Sequence, residues 1–274
     1  MKGGKLRWHF KCTNCGYESG ELIESINSPE LHSNINEKDR ETGLEKLRSN
    51  NFRLIIERLK RYNQNGESLL DVGCAHGWFL EISKKYFKVT GIEPDINIAE
   101  KALKKKLAVR TGFFPDVLSE DEKFDIITFN DVIEHIPDVR KVLLACHQHL
   151  NECGLLAVNI PVSDGFIYTI SKVLMNSGIA SFFNRMWQVG FPSPHLHYFN
   201  KKNFSMLVES YHFELCDSLK LKSITLSGLN QRIQHTGNYN KMKTFLILLS
   251  LIMLLPLLNL FKSDTSLFIY KKIS

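Results

Sequence analysis

Hydrophobic and polar residues alternate along the middle of the chain in blocks that distinguish strands from helices. Short, mostly apolar runs predict buried strands, and they occur at 69–72, 88–92, 107–110, 124–129 and 154–160. Apolar residues spaced three and four apart predict helices at 51–62, 77–86, 95–106 and 139–150. Because strands and helices alternate, the pattern predicts an α/β fold with a parallel, doubly wound sheet.

The N-terminus and one insertion fall outside this alternation. Residues 1–50 form an N-terminal extension whose stretch 25–49 is polar, so we predict that it wraps or links to a main domain at 51–274. An insertion at 162–194 follows the fifth strand and is rich in bulky apolar residues. Its position over the carboxyl ends of the strands predicts a lid or substrate pocket. We call residues 162–194 the lid.

A second apolar block, 245–261 (FLILLSLIMLLPLLNLF), lies near the C-terminus. As a helix it would reach about 26 Å, less than the roughly 30 Å of a bilayer core, and Pro256 would kink it. If 265–272 is a strand of the same sheet, a single span is excluded, because its far end would emerge across the membrane. We therefore predict a bent helical segment at the membrane surface, with burial against the lid or in a dimer interface as the alternative.

The first strand runs directly into a turn with the spacing Asp71-x-Gly73-x-x-x-Gly77, and Glu93 ends the second strand-like run. Glycine suits a turn whose backbone approaches a ligand, and a carboxylate about 20 residues later is the usual partner of ribose hydroxyls. The spacing differs from the G-x-G-x-x-G of dinucleotide sites. The sequence therefore predicts a nucleoside site and disfavours NAD.

This turn resembles motif I, D/E-x-G-x-G-x-G, of class I S-adenosylmethionine-dependent methyltransferases, with Ala75 in place of the middle glycine. The resemblance implies that the backbone from Gly73 to Gly77, with Cys74 inside the turn, meets the amino-acid part of the cofactor. It also implies that Asp71 supports the loop and that Glu93 holds the ribose.

The same resemblance implies the remaining architecture. It predicts a Rossmann-like, doubly wound sheet of seven strands whose last strand, 265–272, is antiparallel and lies beside the sixth, about 213–221. In the loop after the third strand the family often has an acidic residue near the adenine. Here Phe113 or Phe114 would stack on that base, and the alternative is that either ring belongs to the core.

The run 123–138 (KFDIITFNDVIEHIPD) places polar residues directly after a buried strand. It resembles the F-D-x-V…E-H-x-x-D segment of many small-molecule methyltransferases, which implies that Asn130 lies beside the methionine half of the cofactor. Asp131, Glu134 and His135 then form a local trio. They could hold a divalent metal, as in ubiquinone-pathway O-methyltransferases; His135 could be a general base; or Glu134 and His135 could brace the next helix.

The lid closes with 193–199 (SPHLHYF), which resembles the H-x-x-x-F segment before the last large helix of these methyltransferases. In an extended segment His195 and His197 fall on one side. One of them would then take a proton from an acceptor hydroxyl. The alternative is a pair of loop histidines that are hydrogen-bonded to the backbone.

Charge and cysteine usage bear on partners and location. The formal net charge is +6, but the lysines are scattered or clustered on a predicted helix without interleaved aromatic residues, which argues against nucleic-acid binding. The cysteines are mostly isolated, and Met1 does not begin a secretory signal. We therefore expect a cytoplasmic protein with reduced thiols, held peripherally at the inner face of the membrane if 245–261 contacts lipid.

Cys12 and Cys15 form half of a zinc knuckle in the run FKCTNCGY. A closed zinc site needs four ligands, and no second C-x-x-C follows, so His9 or His32 would have to contribute. Some sugar-modifying methyltransferases begin with a similar segment. We expect either structural zinc at this turn or a degenerate remnant of such a site.

These observations predict an enzyme that uses S-adenosylmethionine to methylate a hydroxyl of a small-molecule, saccharide or lipid-linked acceptor. Two alternatives stay open. One is a non-catalytic cofactor-binding or scaffold protein, and the other is a nucleotide-sugar oxidoreductase with a related fold.

Overall fold

The computed structural model describes residues 2–3, 6–25, 37–63, 66–223 and 261–273, and the isolated positions 242, 244 and 249. For 2–3 and 37–44 only the backbone is described. The predicted apolar segment 245–261 therefore lies outside the described residues except at Leu249 and Phe261. No helix in the described part of the chain has the length and apolarity needed to cross a bilayer.

Strands and helices alternate through the described main domain. The strands are β1 Lys2–Gly3, β2 His9–Lys11, β3 Glu18–Gly20, β4 Ser68–Val72, β5 Lys88–Glu93, β6 Val109–Thr111, β7 Phe124–Asn130, β8 Leu150–Pro161, β9 His197–Tyr198, β10 Phe213–Leu221 and β11 Thr265–Lys272. The helices are α1 Glu37–Tyr62, α2 Trp78–Ser83, α3 Ile96–Lys104, α4 Val139–His149, α5 Phe166–Asn176, α6 Ser181–Met186 and α7 Lys201–Glu209. A 3-10 turn spans Ile133–His135.

Seven strands form the main sheet in the order β10-β11-β8-β7-β4-β5-β6. β11 is antiparallel to both β8 and β10, whereas β4 is parallel to β5 and β7. The predicted Rossmann-like, doubly wound sheet with its antiparallel last strand is therefore confirmed. From β4 the chain moves outward to β5 and β6, then crosses to β7 on the other side. This reversal opens a crevice at the carboxyl ends of β4 and β7, where open α/β sheets bind ligands.

The two faces of the sheet are covered by different helices. Successive residues of a strand point to opposite faces. On β4, Leu70 packs in the cluster that contains Leu143 of α4 and Phe204 of α7. Leu69 packs in the other cluster with Ile55 of α1. Both faces are thus buried, which explains why these strands are nearly continuous apolar runs.

The N-terminal part is more ordered than its polar sequence suggests. Helix α1 begins at Glu37, fourteen residues before the predicted start at Asn51. Its first half is rich in Glu, Lys and Arg, which favour helices without producing an apolar period. The division into 1–50 and 51–274 stays a prediction, although α1 crosses its boundary.

A second, four-stranded sheet was not predicted. Its order is β1-β2-β3-β9, so the N-terminal hairpin, residues 6–25, pairs with the segment that closes the lid. The hairpin and lid share their own apolar cluster, which includes Trp8, Phe183, Trp187 and Tyr198. The hairpin is therefore packed into the lid.

Candidate active site

A cavity of about 290 Å³ lies at the crevice between β4 and β7. Its lining includes the backbone of motif I, the end of β5, the turn after β7 and the loop after α6. The lining residues used below are Glu24, Arg48, Gly73, Ala75, Glu93, Phe113, Asn130, Asp131, His135, Gln188 and Phe191. The sequence had predicted six of these as candidate functional residues: Gly73, Glu93, Phe113, Asn130, Asp131 and His135.

Asp71 supports the cavity from behind. It is buried, and its Oδ1 accepts hydrogen bonds from Thr128 Oγ1 at 2.8 Å and Asn130 Nδ2 at 3.0 Å. Asp71 and Thr128 are paired across β4 and β7, so the register brings these side chains together. Burial raises the pKa of Asp71 to about 7, although both hydrogen bonds act in the opposite sense. Asp71 thereby orients Asn130, which lines the cavity.

Glu93 ends β5 with its carboxylate in the cavity wall. Its Oε2 accepts from the Ala75 N–H at 2.8 Å and its Oε1 from the Asp95 N–H at 2.9 Å. Burial raises the pKa of Glu93 to about 7 despite these bonds. Each carboxylate oxygen has a second lone pair, so the group can also accept from a diol.

The motif I turn takes an unusual backbone path. Gly73, Ala75 and Gly77 have positive φ values of 70°, 45° and 75°. A Cβ on Gly73 would lie 2.5 Å from Val132 Cγ2, so glycine is required there for space as well as conformation. Ala75 takes the left-handed conformation that the missing middle glycine would adopt without strain.

Two of the predicted cofactor residues face different surroundings. The side chain of Cys74 packs in a small apolar cluster with Leu80, Ala102 and Leu107, and burial raises the pKa of its thiol. A contact between Cys74 and a cavity ligand would therefore involve its backbone. Phe113 lies at the cavity lining with 54% of its surface exposed, so one ring face is open to a ligand.

His135 stands at the other end of the cavity. Its Nδ1 lies 2.8 Å from the carbonyl oxygen of Pro194, and because a carbonyl can only accept, Nδ1 carries the proton. In the neutral ring Nε2 is then the basic nitrogen. Nε2 lies 3.9 Å from Glu134 Oε1.

Glu134 and His195 adjoin His135. The Glu134 carboxyl is fully buried, and neither oxygen has a hydrogen-bond partner. Burial, reinforced by the charge of Asp131, raises the pKa of Glu134 well above its ordinary value. In the part of the chain that the structure describes, the three-residue group that could hold a metal is Glu134, His135 and His195, with ligand atoms within 4.8 Å of one another. Metal binding here stays a prediction.

The expected trio of Asp131, Glu134 and His135 is thus not the set that comes together. Asp131 instead approaches Arg48 of α1, whose Nη2 lies 3.2 Å from Asp131 Oδ2. Arg48 and Gln188 line the cavity but were missed by sequence reasoning. No local motif marks either residue, because each reaches the cavity from a distant element.

In both histidines of the segment that closes the lid, His195 and His197, the two ring nitrogens are hydrogen-bonded. The Tyr198 hydroxyl donates to the Met186 carbonyl and accepts from His195 Nδ1 at 3.1 Å, while the Gln188 amide donates to His195 Nε2 at 2.8 Å. Burial, with the nearby His135 ring, lowers the pKa of His195 well below its usual value.

His197 occupies a structural position behind the cavity. Its Nε2 donates to the Ile136 carbonyl at 2.9 Å, and its Nδ1 accepts from the Tyr17 hydroxyl at 2.5 Å. Burial lowers its pKa. The geometry therefore singles out His135 among the three predicted histidines as the one that lines the cavity.

A buried carboxylate fastens the hairpin to the lid. Glu18 accepts hydrogen bonds from His9 Nε2 at 3.0 Å, the Tyr168 hydroxyl at 2.7 Å and Lys172 Nζ at 3.0 Å. Burial alone would raise the pKa of Glu18, but the His9 bond and the Lys172 charge outweigh it and hold the pKa below its usual range. Through this junction the hairpin also brings Glu24 to the cavity wall.

Cys12 and Cys15 lie in the tight turn between β2 and β3. Hydrogen bonds from the Cys15 and Asn14 backbone lower the pKa of the Cys12 thiol, which favours a thiolate. His9, suggested as a third ligand, points its Nε2 at Glu18, and His32 lies outside the described residues. No group of three potential ligands among the described residues includes either cysteine. Zinc at this turn stays a prediction.

Sequence comparison assigns the family. A family model for the methyltransferase domain matches residues 44–218, well over half of the chain. The chain therefore belongs to the methyltransferase-domain family, and its fold is that of the class I S-adenosylmethionine-dependent methyltransferases.

Individual relatives cover less of the chain. The ubiquinone biosynthesis O-methyltransferase of Pasteurella multocida is 32% identical over 128 residues, which cover 40% of this chain and 48% of that protein. The mitochondrial ubiquinone biosynthesis O-methyltransferase of Bos taurus is 27% identical over 149 residues, covering 50% of this chain and 38% of that protein. The chain thus spans about half, or less, of the length of the curated relatives it matches.

Solved structures agree on the fold. A methyltransferase of Thermotoga maritima, described as a possible histamine N-methyltransferase, has a TM-score of 0.57 at 16% identity and covers 87% of this chain and 95% of its own. Phosphoethanolamine N-methyltransferase 2 of Haemonchus contortus, solved with S-adenosyl-L-methionine, has a TM-score of 0.53 at 15% identity, covering 79% and 51%.

Proposed function

We propose that this chain transfers the methyl group of S-adenosylmethionine to a hydroxyl of a small, largely apolar acceptor. One observation carries the proposal: one cavity has a buried carboxylate, Glu93, in one wall and the imidazole of His135 in another, where the Pro194 carbonyl at Nδ1 leaves Nε2 as the basic nitrogen. The similarity to ubiquinone biosynthesis O-methyltransferases supports oxygen as the acceptor atom.

The residues present fit the cofactor. Glu93 would accept from the ribose hydroxyls, the backbone at Gly73 and Ala75 would meet the amino-acid part, and the Phe113 ring would cover the adenine. Asn130, oriented by Asp71, would hold the methionine half. When bound, S-adenosylmethionine supplies an electrophilic methyl group whose transfer needs alignment more than acid catalysis.

His135 performs the proton chemistry in this proposal. Its Nε2 accepts the acceptor hydroxyl proton as the oxygen becomes nucleophilic, and the Pro194 carbonyl stabilises the resulting imidazolium through Nδ1–H. Phe191 of the lid and Phe113 line the same cavity and exclude water from the reacting atoms. His195 and His197 hold neighbouring backbone and side chains in place.

The test has a binding arm and a turnover arm. Calorimetry should show binding of S-adenosylmethionine and none of NAD. With catechol as a soluble acceptor, labelled methyl should appear on oxygen, and His135→Asn should lower kcat by roughly 100- to 10,000-fold with cofactor affinity unchanged. His212→Asn, at an exposed histidine, is the matched control and should retain full kcat.

Two results would overturn this function. Tight NAD binding without a response to S-adenosylmethionine would favour the oxidoreductase alternative. Cofactor binding without methyl transfer to catechol or to any acceptor in a cell extract would favour a non-catalytic protein.

A further inference from the structure

The lid helix α5 exposes apolar side chains on its outer face, which packing within the described fold does not account for. Tyr168, Ser171 and Met175 are buried on its inner face. Phe166, Ile170 and Val173 are spaced four and three apart, so they form a stripe along another face, where Ile170 and Val173 are 38% and 59% exposed. An exposed helix face of a globular protein is normally polar, so this stripe indicates a contact.

Helix α5 also lacks the outward charges that are usual on an exposed helix face. The sequence of α5, FIYTISKVLMN, contains one charged residue, Lys172, and its Nζ is turned inward to Glu18 and the Ser163 carbonyl. Beyond α5, Ile179 and Phe182 are also exposed, at 54% and 36%. The outer surface of 166–182 therefore exposes large apolar side chains among uncharged polar ones, and it carries no acidic side chain.

The apolar C-terminal block joins the chain at one end of this stripe. Phe261 stacks on Phe166 with ring centroids 4.0 Å apart, and the Phe166 N–H donates to the Lys262 carbonyl. Asp264 caps the start of α5 by accepting from the Ile167 and Tyr168 N–H groups. In sequence, the sixteen residues before Phe261 contain no charge.

We propose that the outer face of α5 and α6 is a lipid-binding surface that seats the chain on an anionic bilayer. The stripe supplies apolar area for the acyl-chain boundary. At its Phe166 end lies Lys262, whose side chain is 64% exposed and ion-paired with Asp164, so its ammonium can also contact a lipid headgroup. The formal net charge of +6 favours an anionic bilayer over a neutral one. The loop after α6 lines the cavity, so one lid carries both the stripe and part of the site wall. In a consequence that rests on the proposed function, a lid seated on lipid would keep an apolar acceptor in the bilayer close to the site that holds His135.

Vesicle sedimentation of the full chain tests the surface without cofactor or acceptor. Vesicles of phosphatidylcholine with phosphatidylglycerol should pull down the parent protein. The double variant Ile170→Asn with Val173→Asn should partition at least about tenfold more weakly, because two apolar side chains no longer leave water. The matched control is the double variant Leu103→Asn with Leu144→Asn, because these exposed leucines lie on α3 and α4 rather than on the lid. Its partitioning to vesicles should stay within about twofold of the parent.

Val173→Asn alone, at the most exposed position of the stripe, guards against misfolding of the double variant and should weaken partitioning about threefold. Unchanged melting temperature and unchanged S-adenosylmethionine affinity would show that the variants fold.

Three results would overturn the proposal that this surface binds lipid. They are a parent that stays in the supernatant, lid variants that sediment like the parent, or lid variants that only convert a dimer to a monomer in light scattering. Because sedimentation needs no turnover, failure here leaves the methyltransferase proposal standing, and failure of turnover leaves this surface standing.

Discussion

The cofactor end of the cavity and its acceptor end are built in different ways. At the cofactor end, Asp71, Glu93 and Asn130 each lie at or near the carboxyl end of a parallel strand. At the acceptor end, the hairpin at 6–25 and the lid meet across 150 residues of sequence at Glu18 and Tyr168. The first end follows from strand order, whereas the second depends on a junction that no local motif specifies.

The difference extends to the charges each end buries. The cofactor end holds Asp71 and Glu93 in positions where burial raises the pKa of each to about 7. At the acceptor end, the hydrogen bond from His9 and the charge of Lys172 hold the pKa of Glu18 below its usual range. Glu93 is thus prepared to gain hydrogen bonds from a ligand, whereas Glu18 already has its partners and holds two segments together.

The largest expected effect comes from the acceptor end. Glu18→Gln removes the charge that Lys172 faces inside the protein, and loss of one partner of a buried ion pair costs about 3 kcal/mol. We expect the free energy of unfolding in urea to fall by about that amount. Glu21→Gln, at an exposed position of the same hairpin, should change it by less than about 0.5 kcal/mol. Equal stability of the two variants would contradict a stabilising role for Glu18 between the hairpin and the lid.

Glu93→Gln tests the cofactor end through ligand binding. Loss of charge-assisted hydrogen bonds to a ligand should weaken S-adenosylmethionine binding by about 2 kcal/mol, roughly thirtyfold, in calorimetry. Glu100→Gln, on the exposed side of α3, is the control and should bind the cofactor like the parent. If Glu93→Gln binds normally, the ribose lies elsewhere.

Protonation of Glu93 should make the affinity for the cofactor depend on pH. With a pKa of about 7, this carboxyl is roughly one-tenth ionised at pH 6 and nine-tenths ionised at pH 8. Because ribose hydroxyls donate to the ionised form, cofactor affinity should fall about tenfold from pH 8 to pH 6. The fall should be smaller in Glu93→Gln, and a parent with equal affinity at both pH values would contradict the assignment.

The sign is opposite for the stability of the cofactor-free protein. The folded pKa of Glu93 lies above the unfolded value near 4.3, so between these values the folded state holds more protons. The contribution of Glu93 to stability should therefore increase as pH falls from 8 toward 5. Thermal unfolding of the parent and of Glu93→Gln across this range measures it.

The smallest expected effect is at Ala75. Ala75→Gly relieves a left-handed conformation that costs an L-residue about 1–2 kcal/mol, and the added chain entropy of glycine offsets about half of that. We expect a stability gain of about 0.5 kcal/mol in urea unfolding. Ala99→Gly, inside α3, should instead lose about 1 kcal/mol or more. A loss at both positions would show that the turn is not strained.

Sequence reasoning reached the sheet and the cofactor end because those features obey local rules. Apolar runs located five of the seven strands of the main sheet, and the family resemblance supplied the sixth and the antiparallel last strand. The motif I spacing and the polar residues after the strands pointed to Asp71, Glu93 and Asn130. It missed the start of α1 at Glu37, because a polar helix has no apolar period to detect. It could not place Arg48, Gln188 or Glu24 at the cavity, because their positions depend on contacts between distant segments.

The three histidines show the same limit at finer scale. Sequence spacing presented His135, His195 and His197 as comparable bases. Hydrogen bonds distinguish them in the structure. His195 is held by Gln188 and Tyr198, which are close to it in sequence, whereas His197 is held by Tyr17, 180 residues away.

Glu18 also bears on how such enzymes could be re-engineered. Its carboxylate is shared by His9 of the hairpin and by Tyr168 and Lys172 of the lid, so neither segment is self-sufficient. A lid transplanted alone onto another methyltransferase core would carry an inward lysine with nothing to neutralise it. Transfer of acceptor preference would therefore require residues 6–25 and 162–199 to move as one cassette, and divergence in either segment would be constrained by the other.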